Sequence, residues 1–248
     1  MFRSIKYFVK KFKKHNCCVV GVKGSGKDLV FGNVIARRKK EDYISNLDYT
    51  KKKRYIPLRF ENLDCGCAKW TDFVDGTLPF YEFPYPRGSD VYVSDVGVYL
   101  PAQYCNQINN KYPHIATYQA LCRQISHNRF HINTQALLRC YDKIREQSDI
   151  YFLCRWCIYI PIVNIVIQNI TEYDKYQSCV DRVKPARIRT PLFNKEAQMQ
   201  AQIYLDKFRN TYGKIESHIV IYRNKSKHDP FYFEKAFEKG VKSFENKK

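Results

Sequence analysis

Cys17-Cys18-Val19-Val20-Gly21-Val22-Lys23-Gly24-Ser25-Gly26-Lys27-Asp28-Leu29-Val30 is the stretch on which the fold turns. Cys17 to Val20 is a short apolar run that reads as a buried strand. Gly21 to Lys27 reads as a turn. Asp28 to about Arg38 reads as a helix with Leu29, Val30, Val34 and Ile35 on its apolar face. Gly21-x-x-x-x-Gly26-Lys27 has the Walker A spacing of a phosphate-binding loop. Glycines let the backbone wrap closely, so successive N–H groups point at phosphate oxygens. The lysine reaches the terminal phosphates, and the start of the following helix adds a positive end. The expected nucleotide contacts are Gly21, Val22, Lys23, Gly24, Ser25, Gly26, Lys27, Asp28 and Leu29. Asp28 stands where Ser or Thr normally places a hydroxyl on Mg²⁺.

Downstream, Val91-Tyr92-Val93-Ser94-Asp95 is a second strand, and Asp95 at its end is the expected second metal-side carboxylate (Walker B). Asp28 and Asp95 are thus the candidate Mg²⁺ residues. Val96 follows Asp95, where a glutamate base would be usual. Further strands are expected at Tyr43 to Asn46, Tyr55 to Phe60, Phe130 to Asn133, Ile150 to Trp156 and Ile162 to Ile170. Helices are expected over 114–128 and 194–211, with mixed helical character from Ala136 to Arg145. Residues 61–90, rich in Pro and Gly, read as irregular, and a polar, basic tail follows residue 211. Strands alternating with helices point to an α/β fold with a largely parallel sheet.

The chain has 248 residues, 44% hydrophobic and 27% charged, which is globular composition. Its net charge is +19, concentrated at the ends: residues 1–60 hold 17 basic and 4 acidic side chains, and residues 181–248 hold 16 and 8. Such a charge suits a polyanionic partner, nucleic acid or an anionic membrane face. Charge runs such as Arg37-Arg38-Lys39-Lys40 have the alternative of being solvated surface. In residues 1–15, Phe2, Ile5, Phe8, Val9 and Phe12 recur at helical spacing among lysines. This basic amphipathic helix can lie on an anionic membrane or pack its Phe face on the domain. No apolar run approaches the ~18–20 residues of a membrane span.

Ten cysteines in a chain of this length read as reduced thiols. Cys65-x-Cys67 and Cys154-x-x-Cys157 could offer four thiolates to zinc, but residues three apart in a strand face opposite sides, which favours core thiols. His127 and His131 are not expected to form a metal pair. Basic and aromatic residues interleave at Arg54-Tyr55, Tyr222-Arg223 and Phe231-Tyr232-Phe233, a mixture able to stack single-stranded bases, but with 15% aromatics overall ordinary core and surface residues are the favoured alternative.

Arg123-Gln124-Ile125-Ser126-His127-Asn128, Phe130-His131-Ile132-Asn133-Thr134-Gln135, Asp142-Lys143-Ile144-Arg145 and Glu172-Tyr173-Asp174-Lys175-Tyr176 resemble the segments after Walker B in zonula-occludens-toxin-like proteins, the assembly ATPases of filamentous phages. The resemblance covers roughly residues 16–180. It implies a RecA-like sheet of the FtsK- and HerA-like P-loop ATPases, ATP and Mg²⁺ as cofactors, and Lys27, Asp95, Gln135 and Arg145 as catalytic residues. Gln135 would position water beside the γ-phosphate, and Arg145 would reach nucleotide across a subunit interface. The implied partners are phage DNA, phage assembly proteins and further copies of the chain. The implied location is the host cytoplasm at the inner face of the membrane. The organisation expected is a helix at 1–15, an ATPase domain at 16–180 and a basic extension at 181–248.

Overall fold

In the computed structural model, which describes residues 2–39, 42–50, 53–59, 78–79, 85–111, 113–186, 188 and 194–226, the apolar run Cys17 to Val20 forms the central strand. The elements in chain order are β1 (Phe2–Arg3), α1 (Ile5–Lys14), β2 (Cys17–Val20), α2 (Lys27–Ile35), β3 (Asp42–Ser45), β4 (Arg54–Arg59), β5 (Leu78–Pro79), β6 (Asp90–Val93) and α3 (Val96–Tyr99). There follow α4 (Cys105–Lys111), α5 (Ile115–Ser126), β7 (Phe130–Thr134), α6 (Asp142–Glu146), β8 (Ile150–Ile160), β9 (Ile165–Tyr173), α7 (Tyr176–Val180), α8 (Lys195–Tyr212) and β10 (Ile215–Arg223). Cys65-x-Cys67, Phe231-Tyr232-Phe233 and most of the irregular 61–90 segment lie outside the described residues.

The strands make one sheet in the order β1-β10-β9-β8-β2-β7-β6-β3-β4-β5. Its core, β8-β2-β7-β6-β3, is parallel throughout. This is a RecA-like α/β sheet: β7 sits between the P-loop strand and the strand leading to Asp95. Side chains alternate across the strands, so Cys17 and Val19 enter one apolar core with α1 and α2, while Cys18 and Val20 enter the other with α4 to α7. Both faces of the central strands are covered, which is why they read as continuous apolar runs.

The sheet is parallel in its core, as expected, and Ile150 to Ile160 and Ile165 to Tyr173 add an antiparallel pair at its side. Only residues 161–164 connect them, and Asn164 (φ +54°) donates its N–H to the Pro161 carbonyl at 3.1 Å, closing a tight turn. A parallel pair needs a crossover several times longer. One expectation is corrected: the polar tail expected after residue 211 contains a strand inside the sheet, Ile215 to Arg223, between β9 and β1. His218, Val220 and Tyr222 alternate inward, but Glu216 and Ser217 dilute the apolar pattern.

The N-terminal helix packs by its Phe face on the domain. Ile5, Phe8 and Phe12 are buried. The Phe12 ring stacks on Phe152 at 5.7 Å and meets Phe31 edge-on at 6.0 Å. Polar clamps add to this: Glu172 accepts hydrogen bonds at 2.7 Å from the Tyr7 hydroxyl and the Lys11 ammonium. Burial acts to raise the Glu172 pKa, yet its neighbours His218, Lys11 and Tyr7 outweigh that and hold it down at about 2. Among the described residues no helix is long and apolar enough to cross a membrane. Phe12→Ala is expected to cost about 3–5 kcal/mol of stability, the range for emptying a buried aromatic site. A shift in urea midpoint worth under about 1 kcal/mol would mean that α1 is not docked this way.

Candidate functional site

Parallel strands end at one edge, and β2, β6 and β7 deliver their C-terminal residues there together. At such an edge, where the chain leaves β2 toward β3 on one side and later returns to β8 on the other, open α/β sheets bind ligands. The Gly21 N–H donates to the Thr134 carbonyl at 3.1 Å, fixing the start of the P-loop against the end of β7. Gly24 and Gly26 take left-handed backbone angles, φ +81° and +83°, and Gly26 caps α2. A Cβ at Gly24 would meet nothing within 4 Å, so the loop is open on that side. The Ser25 hydroxyl is buried with no hydrogen-bond partner.

Lys27 is the centre of the site. Its side chain is only 6% exposed, and its ammonium lies 2.9 Å from an Asp28 oxygen and 2.7 Å from an Asp95 oxygen. Burial works against its charge, but the two carboxylates outweigh burial and raise its pKa above the ordinary value. Asp28 is gripped on its other oxygen by three donors: the Ser94 hydroxyl at 2.7 Å, the Asn133 amide at 2.8 Å and the Tyr49 hydroxyl at 3.1 Å. Burial, with Asp28 beside it, pushes the Tyr49 hydroxyl well above its usual value, so it stays a donor. The side-chain Oδ1 of Asn133 accepts from the Asp95 N–H at 2.8 Å. Asp95 itself adopts φ +48°, a left-handed conformation uncommon outside glycine.

Of the residues expected from the sequence, the structure brings together the loop Gly21 to Leu29, Asp28 and Asp95. Gln135 follows β7 at the same edge and is exposed. Arg145 donates through Nη1 to the Leu137 and Cys140 carbonyls at 3.4 and 3.1 Å, and its guanidinium lies 5.3 Å over the Tyr176 ring. Within one copy of the chain, Nη1 thus faces the 137–140 turn. Other residues of the quoted segments also serve the fold. His127 caps α5 in a left-handed conformation, and the His131 Nδ1 accepts from the Cys17 N–H at 3.2 Å. Asp174 accepts from the Lys214 N–H at 2.8 Å. In the run Arg37 to Lys40, Arg38 is a buried partner of Asp90, and Arg37 donates to the Asn33 carbonyl, so neither is simply solvated charge.

Sequence reasoning missed Tyr49, Ser94 and Asn133, which hold Asp28, and a second layer behind the loop. The Tyr222 hydroxyl donates to Gln168 Oε1 at 2.9 Å, and Gln168 Nε2 donates to the Ser25 carbonyl at 2.9 Å. Gln168 is fully buried. A glutamine inside the apolar run Ile165 to Ile170 was the available signal, since a buried amide demands partners. The CxxC pair lies under this loop: a β-bulge falls between Cys154 and Trp156, Cys154 is buried, and burial raises both thiols, Cys157 to about 11. Protonated thiols agree with the core reading. The eight cysteines among the described residues are all free.

The residues present fit a Mg²⁺–nucleotide. Asp28 and Asp95 are hard oxygen donors on either side of Lys27, suited to Mg²⁺. The buried Ser25 hydroxyl and the glycine loop at the start of α2 suit phosphate oxygens.

No family model matches the chain, and no curated protein matches it. Among solved structures it is similar to the crystal structure of the N-terminal domain of zonular occludens toxin from Neisseria meningitidis, at 14% identity and a TM-score of 0.47, covering 74% of this chain and 97% of that one.

Proposed function

We propose that the chain binds ATP with Mg²⁺ at the P-loop and hydrolyses it as an assembly ATPase of the filamentous-phage type. The observation that carries the nucleotide reading is the convergence of Lys27 and Asp28, at the start of α2, with Asp95, just after β6, through contacts under 3 Å. In this reading Lys27 leaves its carboxylate partners to bind the terminal phosphates. Asp28 and Asp95 are the residues that would hold Mg²⁺, which supplies charge neutralisation between the phosphates. Asn133 keeps the Asp95 backbone in place, and Gln135 lies at the edge where an attacking water would be positioned. Phage DNA, assembly proteins, an anionic membrane face and further copies of the chain are partners suggested by the sequence resemblance and by the +19 charge. The inner face of the host membrane is the location that follows from that reading.

A second reading is favoured by one observation. Asp28 replaces the usual hydroxyl and is already held by Lys27, Tyr49, Ser94 and Asn133, and Val96 stands where a base would be. Such a network favours a nucleotide-binding scaffold with slow turnover. ATP turnover and binding by the full chain, with and without single-stranded DNA, separates the two. Turnover stimulated by DNA supports the motor. Binding without turnover supports the scaffold. Absence of both removes the nucleotide assignment.

A further inference from the structure

Beneath the N-terminal helix, β9 and β10 place two glutamates side by side. Glu172 and Glu216 are directly opposite in register, and His218 follows Glu216 on the same face. Like charges facing each other across a strand pair are destabilising, and Lys11 on Glu172 Oε1 and Lys214 on Glu216 Oε1 offset part of that. Glu172 is 7% exposed, Glu216 28%, and His218 fully buried. Neither ring nitrogen of His218 has a hydrogen-bond partner, and neither does Glu216 Oε2. Yet His218 Nε2 is aimed between the carboxylates, 3.7 Å from Glu172 Oε2 and 3.6 Å from Glu216 Oε2.

Those distances are too long for an N–H···O bond, which closes to about 2.7–3.2 Å. They are near the spacing of two ligands on one small ion: with metal–ligand bonds of about 2.0–2.2 Å, tetrahedral neighbours lie roughly 3.3–3.6 Å apart. The three ligand atoms all lie within 4.8 Å of one another. The geometry points to a divalent-cation site formed by Glu172, Glu216 and His218, taking an ion of the zinc class. One imidazole with two carboxylates is a donor set such ions accept, and a fourth position is left for water. The outer contacts suit it. The Tyr7 hydroxyl donates to Glu172 Oε2, and the remaining carboxylate oxygens are taken by Lys11 on Glu172 Oε1 (2.7 Å) and Lys214 on Glu216 Oε1 (3.0 Å). Such partners orient ligating carboxylates. The ion would tie β9 to β10 under α1, and this assignment is independent of the nucleotide site.

The test uses the full chain, stripped with a chelator and titrated with Zn²⁺ by calorimetry, beside Glu216→Gln and His218→Ala. The wild type is expected to bind one ion at this site, and each variant to weaken that event at least a hundredfold. Glu216 is at the rim, so its glutamine variant keeps the fold, checked by circular dichroism, even where His218→Ala fails to fold. Co²⁺ in place of Zn²⁺ is expected to give a spectrum of nitrogen and oxygen ligands without a thiolate charge-transfer band. Zinc uptake that is unchanged in Glu216→Gln, a thiolate band as the sole signal, or no uptake by the wild type overturns the site.

Discussion

Lys27→Ala is expected to weaken nucleotide binding at least a hundredfold and to abolish turnover. In the proposed reading the ammonium is the cation that the loop presents to phosphate, and it is paired with both Asp28 and Asp95. A hundredfold corresponds to about 2.7 kcal/mol, which is within the range of a buried charge-assisted contact. The substitution also leaves two carboxylates close together without their shared cation. Asp28 keeps its three donors, Tyr49, Ser94 and Asn133, so the site is expected to remain folded while Asp95, one-third exposed, turns to water. Titration with a fluorescent ATP analogue, together with a thermal melt of the same sample, reads binding apart from folding. A folded Lys27→Ala chain that binds within twofold of the wild type would place the nucleotide elsewhere or nowhere.

Gly26→Ala is expected to be the more disruptive change in the loop, and Gly24→Ala the mild one. Both glycines have φ near +80°, so both pay the left-handed penalty of about 1–2 kcal/mol. Their surroundings differ. A Cβ on Gly26 falls 2.7 Å from Gln168 Nε2 and 2.9 Å from the Cys157 side chain, whereas a Cβ on Gly24 meets nothing within 4 Å. Gln168 cannot simply swing away, because Tyr222 holds its oxygen and the Ser25 carbonyl holds its nitrogen. The loop backbone must move instead, and with it the N–H groups that would face phosphate in the proposed reading. Nucleotide affinity is therefore expected to fall at least a hundredfold in Gly26→Ala and less than tenfold in Gly24→Ala. Equal losses in the two variants would mean that contact with Gln168 and Cys157 does not set the loop's shape.

Much of this architecture is legible in local patterns. Cys17 to Val20 needs no tertiary information to be read as a buried strand, because a strand covered on both faces is apolar at every position. The Gly21, Gly26 and Lys27 spacing likewise announces the loop, since positive φ and close approach are demands on single residues. Phe8 and Phe12 announce an amphipathic face, but not what covers it. A bilayer and a second apolar surface satisfy the same periodicity, and only the Phe152 and Phe31 rings of the folded domain decide between them.

Long-range pairing is where the sequence becomes silent. Ile215 to Arg223 carries Glu216 and His218 at positions that look solvent-facing, yet β9 gives that strand a partner and α1 gives it a roof. Arg145 has the chemistry of a phosphate-binding arginine, and within one copy of the chain its Nη1 is held by the carbonyls of the 137–140 turn. Asp28 looks like a defect in a magnesium site. Its role is legible only once Tyr49, Ser94 and Asn133, from three other segments, arrive on one of its oxygens. The sequence by itself determined the α/β alternation, the phosphate loop and the carboxylate after β6, because each is written in neighbouring residues. The tertiary structure alone decided the strand order, the burial of the N-terminal helix and the partners of Lys27, Asp28 and Glu172, because those depend on residues that only folding brings within a few ångströms.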